Sequence, residues 1–188
     1  MNINTLQLIT GGEFLFLAKS KPEEALEKIY ASYYSHLCNQ VYLIIHDENT
    51  AEDIVQDVFF EVWKKKDTIN INQSLVGYLK RACRNRTLNH IRDNKSRWEG
   101  DSQLVEIYDS SYSTVELMSA EELDLSIQRI IEELPERCGI IFALSRYEEM
   151  SYIEIASELD ISIKTVENQI SKALKILREN LYKIMDNE

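Results

Sequence analysis

Residues 162–175 carry side chains whose types and spacing suit the binding of nucleic-acid bases and phosphates. Hydroxyl, amide and ammonium groups recur there at helical intervals, so on a helix they project from one side. Such groups donate hydrogen bonds to base edges in the major groove, and an ammonium group can instead neutralise a phosphate. The candidate binding residues are Ser162, Lys164, Thr165, Asn168, Lys172 and Lys175.

Two helices joined by a tight turn are predicted to position these side chains. Ile153, Ala156 and Leu159 recur at helical spacing and predict one apolar face for the first helix. Residues 160–162 break the pattern, and Ser162 is a favourable N-cap for the second helix because its hydroxyl can accept a backbone N–H. We expect the second helix to bury Val166, Ile170, Ala173, Leu174 and Leu177. This arrangement is typical of a helix-turn-helix that binds the major groove, and the alternative is a helical hairpin with a solvated outer face.

A second basic surface is predicted upstream, within residues 78–97. Residues 80–97 hold seven basic side chains and one acid, in a chain whose formal net charge is −11. Arginines on one helix face can bind phosphates, an aromatic ring can stack on an unpaired base, and an asparagine can bond a base edge. The alternative is a solvated basic face with Tyr78 in the core. The candidates are Tyr78, Arg81, Arg84, Asn85 and Arg92.

An acidic helix precedes the basic one and predicts a protein-binding surface. Residues 47–61 hold six acids and no base. We expect a helix that begins near Thr50 and buries Ala51, Ile54, Val55, Val58, Phe59 and Val62. An outer face of acids around one aromatic suits a basic protein partner, although a merely solvated face would look the same. The candidate contact residues are Asp53, Gln56, Asp57 and Phe60.

The composition favours an all-α fold without an enzyme centre. Glycine (5) and proline (2) are scarce among 188 residues, which favours long helices, and Ser20 before Pro22 suggests one helix start. Cys38, Cys83 and Cys138 have neither a metal-binding spacing nor a disulfide framework, so we expect reduced thiols in a cytosol. The sequence predicts no catalytic residue, no metal site and no cofactor. It also has no apolar run long enough for insertion into a membrane.

The chain is predicted to form two small helical domains. Residues 1–97 form the first, with an extra N-terminal helix, and residues 117–188 form the second. Residues 98–116 are polar, acidic and without periodicity, which is typical of a flexible linker.

Three motifs in this order resemble the extracytoplasmic-function (ECF) class of bacterial RNA polymerase sigma factors. They are AEDIVQDVFFEVW at 51–63, GYLKRACRNRTLNHIR at 77–92, and the stretch from 133 to 180 that contains the helix-turn-helix. The resemblance spans residues 20–185. It implies a first domain, sigma region 2, that binds core RNA polymerase and melts the −10 promoter element. It implies a second domain, sigma region 4, that recognises the −35 element.

The resemblance also assigns roles to the candidate residues. It implies polymerase contact for the acidic helix face, −10 contact for the basic helix and for the loop at 66–74, and −35 contact for the helix after Ser162. Tyr78 stands where many relatives have Trp. A cytoplasmic location and control by an anti-sigma factor, possibly membrane-anchored, are further implications. Two other functions stay open: a sigma-like decoy that binds only an anti-sigma factor, and an autonomous helix-turn-helix regulator.

Overall fold

Eight α-helices account for the regular structure in the described residues, which are 9–68, 74–94 and 120–185 of the computed structural model. The first four are α1 (Gly11–Ser20), α2 (Pro22–Ile45), α3 (Glu48–Lys64) and α4 (Leu75–Asp93). The other four are α5 (Ala120–Glu132), α6 (Glu136–Arg146), α7 (Tyr152–Leu159) and α8 (Ile163–Met185). The predicted all-α class is therefore confirmed.

The chain divides into two compact units, residues 1–90 and 91–188, and the division falls inside α4. The predicted linker, residues 98–116, lies outside the described residues, as do residues 69–73 of the predicted loop between α3 and α4. The domain limits at 97 and 117 stay predictions. Each unit is described separately below.

The core of the first unit lies between α2 and α3. Helix α1 packs on α2 through the fully buried Phe14, and α4 adds Leu79 and Cys83 to the same apolar cluster. The Tyr33 hydroxyl donates to the Ile9 carbonyl across 2.6 Å and thereby ties the segment before α1 to α2. The predicted inward face of α3 is confirmed, because six of its side chains are buried: Ala51, Ile54, Val55, Val58, Phe59 and Val62.

Two predicted helix starts lie within two residues of the observed ones, but different residues cap the helices. Ser20 ends α1 and its hydroxyl donates to the Phe16 carbonyl, while α2 begins at Pro22, whose fixed φ favours a first helical residue. The third helix begins at Glu48 rather than at Thr50. Its N-cap is Asp47, whose carboxylate accepts the Thr50 N–H at 2.7 Å. In both cases the helix forms where the pattern predicts it, and only the residue that precedes its first turn differs.

The second unit is built around α6, which packs against both α7 and α8. The buried side of α6 includes Cys138, Ile141 and Leu144. Helix α5 completes the unit by packing on α8 through Ile130 and Ile131. The long helix α8 therefore contacts every other helix of the unit, which fixes the direction of its remaining, outward face.

The predicted apolar faces of α7 and α8 are correct except at one residue in each. Helix α7 buries Ile155 with Ala156 and Leu159, whereas Ile153 is 68% exposed. Helix α8 buries Val166, Ile170, Ala173 and Leu177 as predicted, but Leu174 is 49% exposed. Each residue of a helix is rotated by about 100° from the one before it, so Leu174 turns away from the contact that Ala173 makes.

Candidate nucleic-acid and protein interfaces

The turn between α7 and α8 is held by backbone and hydroxyl groups. Asp160 ends α7 in the left-handed region, at φ 51° and ψ 55°, and its N–H donates to the Ala156 carbonyl. The Ile161 N–H donates to the same oxygen at 3.0 Å. The Ser162 hydroxyl then accepts the Thr165 N–H at 3.0 Å and lies 2.8 Å from the Thr165 hydroxyl. Ser162 is therefore the N-cap of α8, as predicted.

Helix α7 begins with a capping box, at the end of the helix that lies away from the turn. The Ser151 hydroxyl accepts the Glu154 N–H at 3.3 Å, and the Glu154 carboxylate accepts the Ser151 N–H at 2.8 Å. Such reciprocal bonds satisfy two backbone donors at once. Both helices of the motif thus have a capped first turn.

Five of the six candidate residues lie on α8, and Ser162 precedes the helix as its N-cap. Ser162, Lys164, Asn168 and Lys175 are exposed, and Thr165 and Lys172 are half-buried. Lys164 pairs with Glu167 at 3.1 Å and Lys175 pairs with Glu179 at 3.7 Å, both along the helix. Exposed pairs of this kind contribute at most about 1 kcal/mol, so both lysines can exchange their partners for phosphates. None of the six side chains is fully buried, so all of them are accessible to a partner.

A buried thiol anchors this surface to the core of the second unit. The Cys138 Sγ on α6 donates to the Gln169 carbonyl of α8 at 3.3 Å. Burial raises the pKa of Cys138 to about 11, and the nearby Lys172 only partly opposes that rise. The thiol therefore stays protonated near neutral pH, as an inert structural group does. The hydrogen bond to Gln169 helps to fix the part of α8 that carries Asn168 and Lys172.

The candidate residues of α4 lie mostly on its exposed side. Arg81, Asn85 and Arg92 are exposed, and Arg84 is half-buried. Tyr78 is also half-buried, and it packs against the core of the first unit. Part of its ring therefore contacts the core, as the alternative interpretation of this residue requires, while the rest remains accessible.

All four candidate residues on α3 are exposed, but three of them already have partners within the chain. The Asp57 carboxylate accepts a hydrogen bond from Arg86 of α4 at 2.7 Å. The Gln56 amide donates to the Tyr34 hydroxyl at 3.4 Å. Phe60 is 57% exposed, and the Lys64 ammonium lies 4.4 Å from its ring centroid, within the range of a cation–π contact. Asp53 has no such partner within the described residues.

Basic side chains lie around the acidic face of α3, and none of them was among the candidate residues predicted from the sequence. Glu61 forms ion pairs with Lys65 at 3.2 Å and Lys64 at 3.9 Å. The hydrogen bond from Lys65 is the main reason why the pKa of Glu61 is lowered. Together with Arg86, these lysines partly neutralise the C-terminal half of the acidic face. The N-terminal half, around Glu52 and Asp53, remains the more negative part.

Neither a metal-binding cluster of three or more side chains nor a membrane-spanning helix occurs in the residues that the structure describes. Within them, no group of three or more His, Cys, Asp or Glu side chains is arranged to hold a metal ion. None of the helices described is long and apolar enough to cross a membrane.

Comparison with known proteins identifies both helical units. A family model of sigma-70 region 2 matches residues 29–97, and a model of sigma-70 region 4 matches residues 124–177. The chain is 26% identical over 172 residues to the ECF RNA polymerase sigma factor SigW of Bacillus subtilis, with 87% of this chain and 92% of SigW covered. It is 28% identical over 130 residues to the ECF RNA polymerase sigma-E factor of Escherichia coli, with 64% and 68% covered.

A solved structure also aligns with the chain. It is the complex of the sigma factor RpoE with the anti-sigma factor NepR from Bartonella quintana. The alignment covers 88% of this chain and 98% of that sigma factor, at 20% identity and a TM-score of 0.44.

The two family models match in the predicted order and together cover all the candidate residues. The chain therefore belongs to the sigma-70 family of RNA polymerase sigma factors. Within that family it is an ECF sigma factor, as the three sequence motifs predicted. It is thus a transcription initiation factor that acts with core RNA polymerase and promoter DNA.

Proposed function

We propose that α3 binds core RNA polymerase, that α4 contacts and melts the −10 element, and that α8 recognises the −35 element. One observation carries this proposal: every candidate residue is exposed or half-buried and lies within a matching family region, 29–97 or 124–177. Asp53 and Phe60 supply a charged group and an aromatic anchor for the polymerase. Arg81 and Asn85 face the melted strand, and Asn168 meets base edges in the −35 major groove.

The charge distribution indicates that the chain needs core polymerase in order to bind the promoter. A net charge of −11 repels DNA at long range, so the free chain is expected to bind promoter duplex weakly. Lys164 and Lys175 are also partly neutralised by Glu167 and Glu179. Assembly with core polymerase holds α4 and α8 against the promoter and thereby overcomes the repulsion. We expect the chain to determine which promoter sequence is bound. The contacts of the whole holoenzyme supply most of the binding free energy.

An anti-sigma factor is proposed as the second protein partner, as the ECF class implies. Such a factor would keep the chain from core polymerase, and the exposed acidic and aromatic face of α3 is the surface that both proteins would use. The proposed place of action is the cytoplasm, where the polymerase and the promoter are found. A membrane-anchored partner is compatible with this location.

Run-off transcription with the cognate core polymerase tests the proposed function. Adding the chain to core enzyme on genomic DNA fragments is expected to yield transcripts from a defined set of start sites. Core enzyme alone should yield none of them. Tight, sequence-specific duplex binding by the free chain without affinity for core polymerase would instead indicate an autonomous regulator. Binding to an anti-sigma factor without affinity for core polymerase would indicate a decoy.

Two substitutions on α8 are expected to separate base recognition from phosphate contact. Asn168→Ala should change which −35 bases are preferred, because an amide pair with a base edge discriminates by roughly 1–3 kcal/mol. Lys175→Ala should weaken binding to all −35 sequences alike. It should also reduce the slope of log K against log salt concentration by about 1. Selection of a randomised −35 library with each variant holoenzyme measures the base preference, and binding at several salt concentrations measures the slope.

Lys183→Ala is the matched control for these variants, since Lys183 is an exposed lysine in the last turn of the same helix. It should change neither sequence preference nor yield. If Asn168→Ala and Lys175→Ala both behave like this control, α8 is not the helix that recognises the −35 element.

A further inference from the structure

An ion pair lies at the N-terminal end of α8, among the residues proposed to recognise the −35 element. The Lys164 ammonium donates to the Glu167 Oε2 at 3.1 Å. The Lys164 side chain is 76% exposed and that of Glu167 is 46% exposed. Because the exposed ammonium of a candidate residue binds it, the Glu167 carboxylate lies beside the candidate −35 residues and is open to a partner. Glu167 itself was not among the candidates predicted from the sequence.

An acid at this place costs affinity unless it contacts a base. Carboxylates repel the phosphates of a DNA duplex, so Glu167 by itself weakens binding to every sequence. Its ion pair with Lys164 stabilises the helix only slightly, because both side chains are well exposed. In the major groove, however, a carboxylate can accept a hydrogen bond from the N4 amino group of cytosine. That gain depends on which base is present, whereas the repulsion does not.

The pair as a whole is complementary to one G·C base pair. In the major groove, guanine presents the acceptor O6 and cytosine presents the donor N4, and these two atoms are hydrogen-bonded to each other about 2.9 Å apart. Lys164 and Glu167 present a donor and an acceptor 3.1 Å apart. An ammonium has further donors and a carboxylate has further acceptor sites beyond those used in the pair. The two side chains can therefore bind both bases without separating.

The position of the pair along α8 also suits base contact. In a helix-turn-helix, the N-terminal residues of the second helix contact base edges. Lys164 and Glu167 lie in the first two turns of α8, whose N-cap is Ser162. The pair of Lys175 with Glu179, at 3.7 Å, lies about 16 Å further along the helix axis. Because the major groove is only about 12 Å wide, a helix that enters it by its N-terminus leaves this second pair near the phosphates.

We propose that Lys164 and Glu167 together recognise one G·C base pair of the −35 element. Lys164 donates to guanine on one strand, and Glu167 accepts from cytosine on the other. The inference rests on the proposed function of α8 and adds Glu167 to it as a specificity-determining residue. The pair also fixes the orientation of the base pair, because exchange of the two bases between the strands would place each base against the wrong group.

Selection of a randomised −35 library with holoenzyme that contains Glu167→Ala tests this inference. The substitution should reduce the preference for the oriented G·C pair at one position by about tenfold and leave the other positions unchanged. Lys164→Ala should relax the same position, because both side chains contact one base pair. The measured quantity is the ratio between base pairs at a single position. The general gain in affinity that follows from the removal of an acid therefore cancels.

Glu179→Ala is the matched control for Glu167→Ala. It removes the same charge from the same helix and breaks a similar ion pair, that with Lys175. It should leave the base preference unchanged at every position of the library. The double variant Lys164→Ala with Glu167→Ala should relax the same single position as each of its parents. Circular dichroism confirms that each variant is folded before the selection.

The outcomes separate this inference from the proposed function. If no α8 variant, Asn168→Ala included, changes the selected −35 sequence, the proposed role of α8 is wrong and the inference falls with it. If Asn168→Ala changes the preference but Glu167→Ala only strengthens binding to all sequences alike or has no effect, the proposed function stands and the inference is wrong. Relaxation of two different positions by Lys164→Ala and Glu167→Ala also overturns it, as does a selected −35 element without a G·C pair.

Discussion

Replacement of Asp53 by arginine is expected to weaken the binding of core RNA polymerase by about two orders of magnitude. A like-charge contact in an interface costs several kcal/mol, and each 1.4 kcal/mol corresponds to about a tenfold change in affinity. Asp53 is the appropriate position because it is exposed and does not take part in the ion pairs that neutralise the C-terminal half of the α3 face. Its substitution therefore reverses a charge without breaking a contact within the chain.

Folding should be almost unaffected by this substitution. Surface changes of this type usually alter the free energy of unfolding by at most about 0.5 kcal/mol. Arginine at position 57 is a less selective probe, since it would place a second guanidinium beside Arg86 and disturb the contact between α3 and α4. The binding defect of an Asp57 variant would thus combine two effects.

Titration of fluorescently labelled chain with core polymerase measures the effect of Asp53→Arg. The matched control is Asp124→Arg, which makes the same change in net charge at an exposed position on α5. The control should bind core polymerase as the unmodified chain does. If Asp53→Arg is folded and binds equally well, the acidic face of α3 is not the polymerase contact.

The second large effect is expected in stability, at Ile155 of α7. Ile155 is fully buried, so truncation to alanine should lower the free energy of unfolding of the second unit by about 2–5 kcal/mol. Ile153 lies on the same helix at 68% exposure, and the same truncation there should change it by at most about 0.5 kcal/mol. The two variants remove the same atoms from one helix, once at a buried position and once at an exposed one.

Hydrogen exchange of amides in α7 and α8 measures this difference in the full chain. Because the protein has two compact units, a probe confined to the second unit reports its stability more directly than a global signal does. Ile155→Ala should accelerate exchange throughout both helices, and Ile153→Ala should leave it unchanged. Equal protection in the two variants would mean that α7 does not pack on α6 as described.

Local sequence patterns predicted the inner faces of the helices well because helical spacing fixes which residues share a face. The six inward residues of α3 are all buried as expected. The errors came from residues at the margin of a face, where the pattern permits either outcome. Ile153 and Leu174 are apolar and close to the right spacing, but the neighbouring Ile155 and Ala173 make the tertiary contact instead.

Pairings between distant residues were beyond the reach of the sequence. Spacing on α4 distinguishes an exposed arginine from a buried leucine, but it does not say which helix lies beside Arg86. The ion pair with Asp57 depends on how α3 and α4 pack, and the contact of Gln56 with Tyr34 depends on α2 in the same way. The sequence therefore predicted the members of the acidic face, while their internal counter-ions required the structure.

The backbone conformation of Asp160 also limits which residues can replace it. Its φ of 51° lies in a region that a β-branched side chain can hardly adopt, and that glycine, asparagine and aspartate tolerate best. A valine or isoleucine at this position would have to rotate the backbone and thereby redirect α8 relative to α7. Relatives that keep the same angle between these two helices should therefore rarely carry a β-branched residue at this position. Changes of promoter preference should instead accumulate on the outward face of α8, where side chains can vary without moving the helix.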